Sequence, residues 1–132
     1  MKRYLLLLIC AVFCTLFSFA QTNYSCTYRS YCDWNASTSK FENCEGYEDN
    51  SLFEMNKDET MFIHTTATIK SSYYVKKREY DSQNDVYVYE VTSDVGNKYT
   101  YIFDTKNKEI RAVFVNNDNQ TQMVTFTVKS IF

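Results

Sequence analysis

From residue 86 onward, tyrosine and phenylalanine recur at every second position in short runs: Tyr87 and Tyr89, then Tyr99, Tyr101 and Phe103. Each run is broken by a polar stretch such as 81–85, 93–97, 104–108 or 116–120. A period of two is the side-chain repeat of a β-strand and is incompatible with the 3.6-residue repeat of a helix. The polar breaks are rich in Asn, Asp, Lys and Ser, which favour turns, and they are too short for a parallel crossover. Consecutive strands therefore lie antiparallel. The chain has no proline and two glycines, and Gly96 falls where a hairpin loop wants a left-handed residue. Extending this reading backwards predicts strands at about 24–34, 40–44, 51–55, 60–65, 69–78, 86–92, 98–103, 109–115 and 121–132. The expected fold is all-β: an up-and-down meander of eight to nine short strands, forming a small barrel or a two-layer sandwich. Closure into a barrel would also remove exposed strand edges.

Placing Gly96 at the hairpin bulge pairs Val91 with Tyr99, Tyr89 with Tyr101 and Tyr87 with Phe103. Continuing through the next turns puts Ile110, Ala112, Phe114, Val124 and Phe126 on the same face. The opposite face is mixed: Val86, Val88, Ile102, Val113, Val115 and Met123 are interrupted by Glu90, Thr100, Arg111, Thr125 and Thr127. Two arrangements follow. In one, the aromatic face fills the core and the mixed face meets water. In the other, the valine-rich face packs inward and Tyr87, Tyr89, Tyr99 and Tyr101 form an exposed ligand-binding platform for flat apolar groups.

Residues 1–20 read as a cleaved secretory signal peptide. Lys2 and Arg3 precede an apolar run from Leu5 to Phe17, and the small residues Ser18 and Ala20 mark a cleavage site before Gln21. The run is shorter than the roughly 20 apolar residues of a membrane-spanning helix. The remaining residues, 21–132, suit a single domain. This places the protein in a secreted or periplasmic compartment, not membrane-spanning after signal cleavage. The mature chain keeps 12 of the 14 Lys and Arg against 16 Asp and Glu, a net charge of 12 − 16 = −4. Nucleic acid is thereby excluded as a general partner, because that binding draws on an excess of cations. The terminal alternation Val124, Phe126, Val128 up to Phe132 is like that of outer-membrane barrels, but charges lie mid-strand where a lipid-facing band would be apolar.

Three cysteines follow the leader. Residues 24–34 alternate, with Tyr24, Cys26, Tyr28, Cys32 and Trp34 expected on one face and Thr27, Arg29 and Asp33 on the other. The polar stretch 35–39 reads as a turn that sets Cys32 opposite Cys44. A Cys32–Cys44 disulfide with Cys26 as a free thiol is the expectation. No C-x-x-C knuckle supports a metal site built from these cysteines and His64, and no metal or cofactor is expected.

Catalytic patterns are scarce. His64 is the only histidine, and a lone histidine beside Met61, Phe62 and Ile63 reads as structural or as a rim residue. There is no phosphate loop and no G-x-S-x-G turn. Glu42, Glu45, Glu48 and Asp49 cluster near Gly46, and Asp81 and Asp85 bracket a hairpin tip. Turn propensity and solubility explain both groups as well as calcium does. The stretches MNKDETMFIHTT, SSYYVKKREYD and TSDVGNKYTYIFDTKNKEIR, within residues 53–113, resemble small exported bacterial proteins of unknown function. The resemblance implies an extracytoplasmic place and assigns no functional residue. The expected function is a non-enzymatic binding module for an unknown small ligand or protein, using an aromatic-rich face or interior. The alternatives are a structural or protein–protein interaction domain and, less favoured, a small hydrolase using loop carboxylates.

Overall fold

A computed structural model describes residues 21–132, and the segment read as a leader lies outside them. The described chain is all-β. Its strands are β1 (Thr22–Asn35), β2 (Lys40–Met55), β3 (Met61–Thr65), β4 (Lys70–Asp81), β5 (Val86–Ser93), β6 (Lys98–Asp104), β7 (Glu109–Val115) and β8 (Thr121–Ile131). Every sequential pair is antiparallel, and β8 returns to pair with β1, closing the meander into a barrel. The β5–β6 register matches the sequence reading: Val91 faces Tyr99, Tyr89 faces Tyr101 and Tyr87 faces Phe103.

All seven hairpins use one local device: in the β3–β4 turn Thr66 Oγ1 accepts the backbone N–H of Thr68 and Ile69, and the other six run alike. Their first residue, Asn35, Asn56, Asp81, Ser93, Asp104 or Asn116, accepts a backbone N–H of the turn on its side-chain oxygen. These short polar side chains satisfy turn donors that no ladder bond reaches. Near the exit of each of those six stands a residue with positive φ: Ser39, Glu59, Asp85, Gly96, Lys108 and Asn119. This is the geometry of a turn followed by a left-handed bulge residue, and five of the six pay its steric cost without glycine.

The sequence reading is corrected in two places. The segments expected at 40–44 and 51–55 belong to one long strand, β2, so there are eight strands and not nine. The polar stretch between them stays extended because β1 pairs with it, through Tyr28↔Glu48 and Tyr31↔Glu45. The second correction concerns β1. Its registers against β2 and β8 both shift between Cys26 and Tyr28, where Thr27 sits. One extra residue reverses the parity of everything after it. Arg29 and Tyr31 then face Phe126 and Val124, whose side chains lie in the core, while Tyr28 is 41% exposed. Alternation alone had put Tyr28 on the same face as Cys26 and Arg29 on the opposite one.

Aromatic rings fill the barrel. Phe53 and Phe62 are fully buried, and Tyr89, Tyr101, Phe103 and Phe126 surround them. Phe62 stacks on Tyr73 at 4.9 Å and meets Tyr101 edge-on at 4.9 Å, while Phe53 meets Phe126 edge-on at 5.0 Å. These are the offset-stacked and edge-to-face contacts that the aromatic quadrupole favours.

Candidate functional site

The first of the two arrangements describes the tyrosine face. Tyr89 and Tyr101 are each 2% exposed and belong to the core. The Tyr89 hydroxyl donates to Glu59 Oε1 at 3.0 Å, and burial together with that carboxylate raises its pKa. Burial raises the Tyr101 pKa as well. Tyr99 is half-buried against Tyr73 and Phe114. Of the four tyrosines only Tyr87 reaches solvent substantially. β4 is paired with β3 only as far as Tyr74, so the end of the β4–β5 hairpin projects past its neighbour. There Tyr87 and the exposed Tyr80 lie 5.1 Å apart, and the Arg78 guanidinium covers the Tyr87 ring at 3.9 Å. Arg78 is itself held by Glu59 at 2.6 Å. The four residues are thus split among core, rim and a small ledge.

The parity change at Thr27 builds a polar cluster inside the opposite end of the barrel. Arg29 reaches Asp49 Oδ2 at 2.6 Å, donates to the Tyr31 hydroxyl at 3.1 Å and lies 4.9 Å over the Phe126 ring. Tyr31 stacks with Tyr47 across the β1–β2 pair. Below them His64 stacks on Phe53 at 4.0 Å and meets Phe126 edge-on. Burial, reinforced by the nearby Arg29 charge, holds the His64 pKa down at about 3. The ring is therefore neutral at physiological pH and serves as a packed aromatic. Among the described residues Cys26 is the free thiol, buried, and its pKa is pushed up to about 12, chiefly by burial. A thiol so protonated is a poor nucleophile. Cys32 and Cys44 form the expected disulfide.

The mixed outer face carries a concave surface, whose lining also takes in Val91, Phe114 and the expected site residue Tyr99 from the aromatic face. A groove of about 870 Å³ runs over β5, β6 and β7. Its floor is the cross-strand row Glu90, Thr100 and Val113, with Thr92 beside Lys98 and Val115 beside Thr121 in the next row. Lys76 stands at one side, and Asn97, Asn116 and Asn117 from two hairpin turns close one end. The volume lies in the range of small-ligand sites, which combine apolar walls with a few polar groups. Alternation made this face visible as mixed; which part of it is concave depends on sheet coiling that sequence does not report.

The acidic residues singled out earlier do not converge. Glu42 accepts from Asn35 at 2.8 Å and Thr38 at 2.7 Å, Asp49 pairs with Arg29, and Asp81 accepts from Asn84 at 2.7 Å. Among the described residues no group of three or more His, Cys, Asp or Glu side chains is arranged to hold a metal ion. No helix among them is long and apolar enough to cross a membrane. Comparison of the chain with protein-family models, with curated proteins and with solved structures gives no match.

Proposed function

We propose that this protein is an exported, non-enzymatic binding module that holds a small amphipathic ligand in the groove over β5, β6 and β7. The observation that carries this reading is the groove itself, because the barrel interior is occupied by its own aromatic rings and leaves the outer wall as the concave surface. Val113 and Val115 offer apolar contact. Lys76, Lys98 and Glu90 offer charge, and the asparagines at the end offer hydrogen bonds in both directions. An extracytoplasmic location is supported by the signal-like first twenty residues and by the Cys32–Cys44 disulfide, which is at home in an oxidising compartment.

The test is an NMR-monitored screen of small amphipathic compounds, such as short alkyl glycosides, alkyl carboxylates and capped dipeptides. The expected result is chemical-shift change confined to Thr92, Lys98, Thr100, Val113 and Val115, abolished by Thr100→Trp at unchanged melting temperature. Shift changes at the Tyr80–Tyr87 ledge in place of the groove would overturn the assignment. Fractionation and N-terminal sequencing test location, with a mature chain beginning at Gln21 as the expected product.

A further inference from the structure

We propose that the open side of β2, over residues 42–50, is a docking edge for an extended, lysine- or arginine-rich segment of another protein, which adds to the sheet as an extra strand. This surface is separate from the groove and does not depend on it. β2 pairs with β1 from Lys40 to Met55, but on its other side β3 reaches only Leu52–Met55. Leu52 faces Thr65, the last residue of β3, and the chain turns away there. Residues 40–51 therefore have no strand on that side among the described residues, and their outward backbone N–H and C=O groups are free to pair.

The charge on this edge selects the occupant. Glu42, Glu45 and Glu48 lie along it, with Lys40 as the single cation at its far end. Asp49 is neutralised by Arg29, whereas Glu45 and Glu48 make no ion pair among the described residues and are exposed. The barrel's other open edge, β4 beyond Tyr74, is different. It carries Lys76, Lys77, Arg78, Glu79 and Asp81 in mixed sign, with Lys77 bound to Glu79 at 2.7 Å and Arg78 to Glu59 at 2.6 Å. A register break near Lys76 disrupts it further. That edge has the marks of one protected against pairing. Lys40 aside, the β2 edge is acidic, and although Glu42 and Asp49 have partners, Glu45 and Glu48 have no cation among the described residues, so the edge repels a second β2 and attracts a cationic strand.

Its shape agrees. The regular run, Tyr28↔Glu48 to Tyr31↔Glu45, lies between two register breaks, so a docked strand is short. Gly46 stands at its middle, and the Tyr28 ring lies against the place where a Cβ would project. The exposed Tyr47 adjoins it and would gain cover from the incoming chain.

The experiment uses the 15N-labelled protein with its disulfide intact and an acetylated, amidated octapeptide of alternating Lys and Val. Controls are the Glu–Val octapeptide and two N-methylated Lys–Val forms, one for each alternate set of backbone amides. Amides within residues 42–50 should gain at least tenfold protection from hydrogen exchange with the Lys–Val peptide and none with the Glu–Val peptide, and one N-methylated form should fail. The Glu45→Lys/Glu48→Lys variant, checked for an unchanged melting temperature, should bind at least tenfold more weakly. The proposal is overturned by absence of protection at millimolar Lys–Val peptide. Undiminished binding of both N-methylated forms, which would mean charge attraction alone, overturns it too. So does unchanged affinity of the double variant, or protection of the same amides by self-association without peptide.

Discussion

The aromatic ring of the barrel and the projecting half of the β1–β2 hairpin use the same strand geometry but are stabilised by different means. In the ring, strands from all sides bury Phe53, Phe62, Tyr89, Tyr101 and Phe103 against one another. In the hairpin half, β2 has one neighbour and most of residues 40–50 are exposed. β1 there still pairs with β8 as far as Asp33↔Gln122, so β2 is the edge of a sheet and has no strand on its far side, among the described residues, to help bury it. The hairpin half is tied by the Cys32–Cys44 bridge, the Arg29–Asp49 pair and an edge contact between Trp34 and Phe41 at 5.1 Å. Where a core is lacking, covalent and ionic links stand in for it.

The comparison is broken most severely by Phe62→Ala, which should cost about 3–5 kcal/mol in urea unfolding because the site is fully buried among rings that cannot collapse onto the gap. Trp34→Ala, in the half-exposed hairpin half, should cost far less; equal losses would erase the distinction. Next, Cys32→Ser/Cys44→Ser should remove about 3 kcal/mol, the entropy of closing a loop of this length. Exchange should quicken most in residues 30–48, and uniform quickening throughout the barrel would count against a separately tied hairpin half. Arg29→Met should cost roughly 2–3 kcal/mol, since both members of the pair are mostly buried and Asp49 would lose its cation. Adding Asp49→Leu should restore most of that loss; a double variant as weak as the single one would show that Arg29 acts by packing alone.

The last effect, of about the size of the Arg29→Met loss at the acid end, concerns pH. His64 is held at about 3 in the folded state, below its ordinary 6.5, so the folded protein binds fewer protons than the unfolded one in between. The stability this confers is complete above pH 6.5 and falls as pH drops below it, by up to about 1.4 kcal/mol per pH unit. The lowered carboxylates Glu42, Asp81 and Asp104 weaken the fold only nearer their own, more acidic range. Thermal melts between pH 6.5 and 4.5 should therefore slope downward, and His64→Phe should flatten them. A slope unchanged in that variant would assign the effect elsewhere.

Strand periodicity and turn chemistry were legible in the residues. The pairing of Tyr89 with Tyr101, the shared face of Ile110, Ala112 and Phe126, and the Cys32–Cys44 bridge all follow from period two and loop length. The inward turn of Arg29 was not. A single bulge at Thr27 inverts parity, and threonine there has no chemistry that distinguishes it from a ladder residue. Nor did composition separate Tyr87 from Tyr89, because their exposure depends on how far one hairpin outruns its neighbour. The groove was visible only as a face with too many valines for a solvated surface and too many charges for a core.

The pairing of β1 with β8 joins residues as distant in the chain as Tyr24 and Ile131. Every other contact between neighbouring strands is a local hairpin, so closing the ring is the one step that carries a large loop entropy and sets the folding rate. Until β8 docks, β1 keeps an open side that the β8 of another molecule fits equally well. Refolding at high concentration should therefore raise the yield of exchanged dimers, with the seam that seals the barrel as the place where two chains become entangled.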